Sequence, residues 1–512
     1  MDVVIVGGGP NGMMLACELA LGGVRPVVLE RLAAPNTEPR SNGLVGQVVR
    51  MVDRRGLFER LSGQPGPPRP NNGYFMFAAM PLNLSLLEDS PVYALPVPEV
   101  KTVQALEERA TELGAEIRRG HELTGLTQDG DGVTLTVRGP EQSYELRASY
   151  VVGADSAHSP VRKAVGIGFP GVTYDRTTSR AAHATVPTEW LDPTSGALNV
   201  PGHGPVLPFL PIRTDRGGFS YAPLPGRPPL VATTEWDQPT VVDDSLRKLR
   251  EEDEPMTLDE MRASIARVLG VDVPIGPPPG DGPHVLRRIN GGNTRVAERY
   301  RDGRVFLVGD AAHVFAAGGT GLNLGMQDAI NLGWKLAAVI NGGVDVLDTY
   351  EAERRPIADR TITFSQAQAA LLSPGDDVTG LRQLFGELLT QPDVVQAVAG
   401  LVAGADIRYP VGDDAHALAG WPAPDLDLHT PNGTVRLAEL VKKAKPLLID
   451  LTENGDLHAD GVEIVRATAD TDVTALLLRP DSYVAWASSD PRPDVDALRA
   501  TAAEWFGVPV SA

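Results

Sequence analysis

The sequence has one cysteine, Cys17, among its 512 residues, so it can form no intrachain disulfide and no zinc site built from several cysteines. Such cysteine use is typical of a reducing compartment, and we expect the protein to be cytoplasmic. Basic residues are also scarce, because 46 lysines and arginines stand against 66 aspartates and glutamates, a net charge of −20. This acidic balance, without a basic cluster, argues against binding to nucleic acid or to an anionic membrane.

Long apolar runs are missing as well. The longer stretches without charge, such as residues 193–212, are broken by proline and glycine and do not predict a membrane span. The first apolar run follows no basic segment, so we expect no signal peptide. Hydrophobic residues make up 42% of the chain and charged residues 22%, as in ordinary globular proteins that bury a core. We expect a soluble monomer or homodimer.

The pattern of apolar residues indicates an α/β protein with an inserted β layer. Residues 2–6 and 26–30 are short strands flanking a helical pattern, which predicts a βαβ unit with both sheet faces covered. Between about 176 and 280, proline and glycine are frequent and short β-like pieces alternate with turns. This texture predicts a separate antiparallel sheet.

A glycine-rich turn joins the first strand to the first helix. Gly7, Gly9 and Gly12 form the pattern Gly-x-Gly-x-x-Gly, and Pro10 lies within it. The first glycine permits a tight turn, the second lets the backbone approach a pyrophosphate, and the third lets the helix pack closely on the strand. Glu30, at the end of the second strand, can accept hydrogen bonds from ribose hydroxyls. The pattern predicts a bound dinucleotide, and a tight turn in a nucleotide-free domain is the alternative.

A second group of candidate residues lies about 300 residues later, between a strand and a long apolar-faced helix. Its members are Gly309, Asp310, Gly318, Gly321, Leu322 and Asn323. An acid at a strand end can bind polyol hydroxyls, and a helix start stabilises negative charge in front of it. Together with the first motif, this group indicates FAD in preference to NAD. The alternative is a structural turn followed by a buried helix.

A third candidate follows another strand, in the segment 153–162 (GADSAHSPVR). Asp155 could organise this loop and reach the pyrophosphate or the nicotinamide co-substrate. A plain turn capped by the aspartate explains the same residues equally well.

The order of these motifs resembles the class A flavoprotein monooxygenases, and within them the hydroxylases of bacterial aromatic polyketides. The resemblance rests on the glycine turn followed by Glu30 and Arg31, then on GADSAHSPVRKAVGI and RYRDGRVFLVGDAAH, and covers about 1–370. The tail is similar to the thioredoxin-like C-terminal domain of those enzymes. It has no CxxC, so we expect no thiol redox chemistry from it.

The resemblance implies four parts of the chain. They are a Rossmann-like FAD-binding domain of the para-hydroxybenzoate-hydroxylase type at 1–175 and 280–372, a substrate-binding β domain at 176–279 with about 72–97, a helical connector at 373–405, and a thioredoxin-like domain at 406–512. It also implies roles for the motif residues. Gly7, Gly9 and Gly12 would hold the FAD diphosphate, and Glu30 and Arg31 would contact the adenosine. Arg40 would lie near the FAD. Asp310 would contact the ribityl and diphosphate portion, and the loop 318–323 would face the flavin pyrimidine.

Three departures from the family pattern concern the same site. Ala316 and Ala317 replace a usual proline pair, Glu99 replaces a usual glutamine, and Ser156 replaces the glycine that usually follows the aspartate. Glu99 would add negative charge near the flavin. These changes bear on flavin movement and on the handling of NADPH.

The implied chemistry belongs mainly to the cofactor. NADPH or NADH reduces FAD, O₂ adds to form a flavin C4a-hydroperoxide, and an electron-rich carbon of a polycyclic aromatic polyketide attacks the terminal oxygen. We therefore assign no catalytic side chain and no metal. Baeyer–Villiger or ring-rearranging oxygenation, a flavin dehydrogenase that does not trap oxygen, and a flavin-bearing protein that sequesters an aromatic drug without turnover are the alternatives.

Five aromatic residues in strand-like segments could stack on a planar substrate between the flavin and the middle layer. They are Phe75, Phe77, Phe209, Phe219 and Tyr221. Their alternating spacing is equally typical of core residues.

Overall fold

The computed structural model describes residues 1–37, 41, 43–224, 226–236 and 255–507. Its first sheet has six strands, of which five are parallel. In order across the sheet these are β19 (Arg301–Asp302), β20 (Val305–Leu307), β11 (Tyr150–Gly153), β1 (Val3–Val6), β2 (Val27–Glu30) and β7 (Glu116–Arg119), with β19 antiparallel. The order confirms the predicted Rossmann-like sheet. From β1 the chain adds β2 and β7 on one side, and it then returns to add β11 and β20 on the other side.

Helices and the β strands of residues 122–148 share one core with this sheet, and its burial explains why the strands are continuous apolar runs. All four residues of β1 are buried. The helices of this part are α1 (Pro10–Leu21), α2 (Gln47–Arg54), α3 (Phe58–Ser62), α4 (Glu99–Glu112), α5 (Pro160–Ala164) and α7 (Gly321–Ile340). Helix α1 packs against both α4 and α7, so the first glycine turn and the start of α7 share one region.

The second six-stranded sheet is antiparallel throughout. Its strands, in order across the sheet, are β15 (Ile212–Thr214), β16 (Gly217–Ala222), β17 (Leu230–Trp236), β12 (Gly171–His183), β18 (Leu286–Val296) and β21 (His313–Val314). Helix α6 (Leu258–Leu269) packs on one face of it. The predicted antiparallel layer is confirmed, but β18 and β21 extend it beyond the expected limit of 279.

Four smaller pairings complete the first two-thirds of the chain. They join β8 (Glu122–Gln128), β9 (Val133–Arg138) and β10 (Ser143–Ala148) in one sheet, β3 (Leu44–Val45) with β6 (Ala94–Leu95), β4 (Tyr74–Phe77) with β5 (Met80–Asn83), and β13 (Leu198–Val200) with β14 (Gly204–Val206).

The β4–β5 hairpin belongs to a different core from the one expected. It packs with three long helices, α8 (Asp348–Leu372), α9 (Asp376–Leu388) and α10 (Pro392–Ala403). The Phe77 ring lies 5.4 Å from that of Phe364 and 5.5 Å from that of Phe385, measured between ring centroids. The grouping of residues 72–97 with the substrate-binding β domain is therefore wrong for this hairpin, which is part of the helical connector.

The C-terminal part has a thioredoxin-like arrangement, as expected. Its four-stranded sheet pairs β24 in parallel with one neighbour and antiparallel with the other. The elements are β22 (Asp427–Thr430), β23 (Gly433–Arg436), α11 (Leu437–Leu440), β24 (Leu447–Asp450), β25 (Glu463–Arg466), β26 (Ala475–Leu478), β27 (Val484–Ser488) and α12 (Val495–Phe506). In the described ranges, no helix combines the length and the apolar character needed to cross a membrane.

A buried ionic network fixes this C-terminal part to α7 and α8. Arg479 donates to both Glu353 oxygens, at 2.6 and 2.9 Å, and to Asp481. Lys335 donates to the same Glu353 carboxylate at 2.6 Å, and the Trp334 indole donates to Asp481 at 3.1 Å. Burial by itself would raise the pKa of Glu353, but the charges of Arg479 and Lys335 lower it to about 2.

Replacing Arg479 by alanine should destabilise the protein by about 3–5 kcal/mol, because it leaves buried carboxylates without their partner. The measurement is the free energy of unfolding in urea. Arg138→Ala is the matched control, since it breaks an ion pair whose side chains are 62% and 41% exposed. That control should cost about 1 kcal/mol or less. Equal losses in the two variants would contradict the assignment.

The acid dependence of stability should also depend on Glu353. Its folded pKa lies below the ordinary value of 4.5. Its ionised form therefore stabilises the fold fully above that value, and this contribution is lost as the pH falls toward 2. Glu353→Gln should thus show its largest deficit at neutral pH, and the deficit should shrink by about 1 kcal/mol per pH unit below 4.5. A deficit that is independent of pH would refute this.

Candidate cofactor and substrate site

A crevice opens at the carboxyl ends of β1 and β11, where the strand order of the parallel sheet reverses. Such a switch point is where open α/β sheets bind their ligands. The Gly7 N–H donates to Leu29 O at 2.8 Å, and the Ala154 N–H donates to Val6 O at 2.8 Å. These bonds fix the ends of the strands, and the loops that follow β1 and β11 line a cavity of about 500 Å³.

The three glycines of the first motif are required for different reasons. A Cβ on Gly7, whose φ is +113°, would lie 2.2 Å from Ala154 O, and a Cβ on Gly12 would lie 2.0 Å from Gly7 O. Both positions are closed by the protein itself. A Cβ on Gly9 would meet no atom within 4 Å, although this residue lines the cavity. The structure therefore leaves room for a ligand at Gly9, where the sequence predicted close approach of a pyrophosphate.

The residues expected around the adenosine line the same cavity. Glu30 Oε2 accepts from the Gly8 N–H at 2.7 Å and Oε1 accepts from the Leu32 N–H at 2.8 Å, so this carboxylate also holds the turn. Arg31 and Glu99 are further lining residues, and Glu99 opens helix α4. Pro10 is the first residue of α1, where its missing N–H costs no helix bond and the helix start favours an anion.

Asn11 joins the first motif to the second. A Cβ on Gly309, whose φ is +60°, would lie 1.9 Å from Asn11 Nδ2, and a Cβ on Gly325 would lie 2.4 Å from the same atom. Asn11 Oδ1 is buried and has no hydrogen-bond partner. Sequence reasoning missed this residue, since it is an unspecified position of the glycine pattern. The two facing glycines were the only signal that could have found it.

Arg162 joins the third motif to the second. It donates to Ala311 O at 2.8 Å and to Ala157 O at 2.9 Å. Asp155 Oδ2 accepts from the Val161 N–H at 2.9 Å, and Asp155 lines the cavity of Gly7 and Gly9. Burial raises the pKa of Asp155. The aspartate thus organises its own loop, as one of the two sequence interpretations stated, at the edge of the crevice.

Asp328, a buried residue of α7, supports the second motif through hydrogen bonds. Its Oδ2 accepts from the Gly309 N–H at 3.3 Å and lies 2.6 Å from His313 Nε2, while its Oδ1 accepts from Arg354 Nε at 2.7 Å. Burial opposes ionisation of Asp328, but the charges of His313 and Arg354 lower its pKa. The turn that presents Asp310 therefore rests on a buried, fully bonded carboxylate.

The remaining residues of the second group surround the start of α7. A Cβ on Gly318 would lie 2.4 Å from Gln368 Nε2, and a Cβ on Gly321 would lie 3.7 Å from Asp310 Oδ1. Asn323 Oδ1 accepts from the Val45 N–H at 3.0 Å, which ties the helix start to β3. Leu322 is partly buried. Arg40 lies outside the described residues.

The structure corrects the aromatic candidates for the substrate. Phe219 and Tyr221 are buried in the core between the antiparallel sheet and α6, with Met261 and Ile265. Phe77 is buried in the connector core, and Phe75 packs against it. Phe209 is 51% exposed. Strand alternation gave the spacing of these residues correctly, but it could not say which face of the sheet is covered.

On the opposite face of the antiparallel sheet, the middle of β16, β17 and β12 carries small side chains, with Arg287 and Ile289 of β18 beside them. By register, Ser179 lies beside Thr234 and Gly218 on one side and beside Ile289 on the other. Ala232 lies between Ala181 and Ser220 in the next row. Ile289 is 48% exposed, and a Cβ on Gly218 would have no neighbour closer than 3.7 Å. The sheet lies beside the second motif, because β21 belongs to it and a Cβ on Gly292 of β18 would be 3.1 Å from Ala316 Cβ.

Comparison with known proteins decides the family. A family model described as "FAD binding domain" matches residues 1–365, and one described as "Aromatic-ring hydroxylase, C-terminal" matches 416–509. The chain belongs to the FAD-dependent aromatic-ring hydroxylases. It is a class A flavoprotein monooxygenase, which uses FAD, O₂ and a reduced nicotinamide co-substrate. The open position at Gly9, at the N-terminus of α1, suits a bound FAD diphosphate.

Relatives match over the whole length. The chain is 40% identical to a 12-dehydrotetracycline 5-monooxygenase/anhydrotetracycline 6-monooxygenase from Streptomyces rimosus, with 99% of both chains covered. It is 35% identical to a dialkyldecalin synthase from Streptomyces rugosporus, with 99% of this chain and 98% of the relative covered. The solved structure of the anhydrotetracycline hydroxylase OxyS from Streptomyces rimosus has a TM-score of 0.83 at 38% identity, with 99% of both chains covered.

Two glycine substitutions should separate cofactor binding from folding. Gly9 has φ −76° and an open Cβ position, so Gly9→Ala should keep the melting temperature of the apoprotein but weaken FAD binding at least about tenfold. Gly12→Ala should lower the melting temperature of the apoprotein, because its methyl group meets Gly7 O. FAD affinity is measured by quenching of flavin fluorescence. Unchanged FAD affinity in Gly9→Ala would contradict the placement of the diphosphate.

Proposed function

We propose that this monooxygenase hydroxylates a polycyclic aromatic polyketide, which lies between the flavin and the open face of the antiparallel sheet. The observation that carries the proposal is the row of small residues on that face. Glycine, alanine and serine side chains leave a flat, shallow surface, which suits a fused planar ring system better than a branched ligand. The names of the tetracycline-modifying relatives support the same substrate class.

The chain's own residues would bind and orient the substrate rather than react with it. The Ser179 and Thr234 hydroxyls lie 3.2 Å apart on the open face and can hydrogen-bond phenolic or carbonyl groups of a polyketide. Ile289 adds an apolar contact beside them. Bound FAD supplies the activation of O₂, so the protein's contribution is the position of the target carbon and the exclusion of water.

The same site residues can be proposed for the cofactor. Gly7, Gly9, Gly12 and Pro10 would hold the FAD diphosphate, with Glu30 and Arg31 at the adenosine and Asp310 at the ribityl chain. Glu99 and Asp155 line the Gly9 cavity together with Glu30 and Arg31, which supports a place for both beside the diphosphate half of FAD. For Glu99 this differs from the expected place near the flavin. We further propose a cytoplasmic monomer or homodimer, which light scattering after size-exclusion chromatography would test. The burial of the single cysteine supports a protein that does not depend on disulfides.

The decisive test is oxygen incorporation. With the FAD-loaded enzyme, NADPH and anhydrotetracycline, we expect the aromatic compound to accelerate NADPH oxidation and the product to gain one oxygen atom from ¹⁸O₂. A rearranged product without ¹⁸O would favour a second candidate function, a cyclisation or rearrangement. The similarity to a relative named as a dialkyldecalin synthase is the observation behind this candidate. Binding without NADPH consumption would indicate a drug-sequestering protein. An inserted ring oxygen would indicate Baeyer–Villiger chemistry.

A bulky residue on the open face should block the substrate without removing the cofactor. Ala232→Trp should raise KM at least about tenfold, because the indole would occupy the surface on which the ring system lies, while FAD content stays normal. Phe219→Leu is the matched control on the α6 face of the neighbouring strand. It should lower the melting temperature and leave KM nearly unchanged. The reverse result would place the substrate on the wrong face.

A further inference from the structure

Arg213 lies on the open face of the antiparallel sheet, at the edge strand β15. It pairs with Gly218 of β16, whereas its neighbour Ile212 pairs with Phe219 on the face that α6 covers. Arg213 therefore stands at one end of a row that crosses the open face. The other members of this row, in order across the sheet, are Gly218, Thr234, Ser179 and Ile289.

This end of the row is remote from the second motif. The strand β21, which contains His313 of that motif, lies at the opposite edge of the sheet from β15. Arg213 and Ile289 stand on the first and fifth strands of the row. Four strand spacings place their backbones about 19 Å apart. A planar ligand along this row has one end near the second motif and points the other toward Arg213.

Arg213 binds the turn between α8 and α9. Its Nε donates to Ser373 O at 2.7 Å, its Nη2 to Gly375 O at 3.2 Å and its Nη1 to Thr379 Oγ1 at 3.0 Å. These bonds bring the start of α9 to the β15 end of the open face. A guanidinium has five N–H donors, so two of them remain beyond these three bonds.

A second arginine, Arg382, lies one helical turn after Thr379 in α9. It donates to Leu371 O at 2.9 Å, and to Ala78 O and Ala79 O of the β4–β5 turn at 2.6 and 3.0 Å. It also lines a groove of about 570 Å³ between α9 and this hairpin. Burial lowers the pKa of Arg382, and the charge of Arg213 lowers it further, so the two cations are close enough to repel each other.

No carboxylate pairs with Arg213 or Arg382 in the described parts of the chain. Every oxygen that accepts from them there is a neutral carbonyl or hydroxyl. In a protein with a net charge of −20, two neighbouring guanidiniums without an acidic partner create a local positive field. Arginine N–H groups bind anionic oxygens strongly, and both side chains have such groups to spare. This end of the open face therefore suits an anionic group of a ligand.

We propose that Arg213 and Arg382 form a subsite for an anionic oxygen group, a carboxylate or an ionised enol, at the end of the substrate remote from the second motif. This inference rests on the proposed function, because it requires the ring system to lie along the open face. The anion accepts from the spare N–H groups of Arg213 within the field of Arg382, while the rings cover Gly218 and Ala232. The substrate class is thereby narrowed to planar polycyclic aromatic anions.

The test compares anionic and neutral ligands of nearly the same shape on the FAD-loaded enzyme, by calorimetry without NADPH. One pair is 6-hydroxyanthracene-2-carboxylate and its carboxamide. The other is 2-hydroxy-1,4-anthraquinone, whose enol is ionised at neutral pH, and its methyl ether. We expect the anion of at least one pair to bind at least about tenfold more tightly than its neutral partner. The pair with the larger ratio identifies the group as a carboxylate or an ionised enol.

Substitutions then assign the preference to the two arginines. Arg213→Met should remove most of the ratio, Arg382→Met should lower it, and Arg213→Lys should keep more of it than Arg213→Met because lysine retains the charge. The affinity for the neutral ligand reports in each variant whether the rest of the site is intact. Arg216→Met is the matched control and should leave the ratio unchanged. It removes the same charge near the same hairpin, but Arg216 Nη1 lies 3.5 Å from where a Cβ on Gly270, after α6, would be.

A salt titration of the unchanged enzyme keeps the proposal testable if Arg213→Met fails to fold. Added salt should weaken binding of the anion and leave the neutral ligand nearly unaffected. Equal affinities within both pairs, a preference that salt does not reduce, a ratio unchanged in Arg213→Met, or the same loss of ratio in Arg216→Met would each overturn the subsite.

Ala232→Trp distinguishes failure of the subsite from failure of the proposed function. This substitution should weaken the anion and the neutral ligand alike, because both lie on the open face. If it does so while the two ligands of each pair bind equally well, the subsite is wrong and the placement of the substrate stands. If all ligands bind to Ala232→Trp as to the unchanged enzyme, the placement on the open face is wrong, and the subsite falls with it.

Discussion

The packing of one amide side chain against two glycines holds the site together. Asn11 belongs to the first turn of the protein, and its Nδ2 fills the space that side chains at 309 and 325 would need. Two motifs about 300 residues apart in sequence therefore meet without any gap for a side chain between them. Any residue with a Cβ at Gly309 would push the turn of Asp310 away from the glycine loop. The relative position of the first two motifs depends on this contact.

The supports of this contact lie in the interior and are electrostatic. Asp328 accepts hydrogen bonds from the Gly309 N–H and from Arg354, and it also contacts His313. Arg354 is adjacent to Glu353 in α8. Glu353 in turn receives Arg479 from the C-terminal part. Buried pairs of this kind gain little over well-packed apolar residues, but removing one member is costly. The thioredoxin-like part, which has no CxxC, is thereby tied to α7 and α8.

Sequence patterns predicted the elements better than their contacts. The strand runs before Gly7, Gly153 and Gly309 led to the parallel sheet and to three loops at one edge, because parallel strands present their carboxyl ends together. Alternation in β16 could not distinguish the face covered by α6 from the open one, so Phe219 and Tyr221 were candidates for the substrate as well as for the core, where the structure places them. The β4–β5 hairpin was misplaced for a related reason. Its partners, Phe364 and Phe385, are about 300 residues away in sequence.

Asn11 was missed, and Arg162, the last residue of the third motif, was given no role, because the roles of both depend on which loops meet. Neither residue type carries a signal in its own segment. Arg162 is one arginine of a basic helix turn, and only the fold brings Ala311 O within 2.8 Å of it. The departures in sequence were easier to find than to interpret. Ser156 has φ +74°, so the loop keeps the left-handed conformation that the usual glycine would adopt freely. The bond from the Val161 N–H to Asp155 and the cap of Ser159 on α5 hold that loop in place.

The replaced proline pair shows how the same loop can be held by different means. Prolines stiffen a chain by fixing φ, but they offer no N–H. At Ala316 and Ala317 the chain has both N–H groups, and each donates to a buried hydroxyl, Thr294 Oγ1 at 3.1 Å and Ser365 Oγ at 3.1 Å. Ser365 also donates back to Ala317 O at 3.0 Å. Thr294 belongs to β18 and Ser365 to α8, so these bonds fasten the loop to the antiparallel sheet and to α8 at once. A loop held by these two hydrogen bonds is released when either hydroxyl moves away, whereas a proline keeps its φ whatever its neighbours do. With alanines at 316 and 317, the stiffness of this loop therefore depends on the packing of the sheet and α8, whereas prolines would stiffen the loop by themselves.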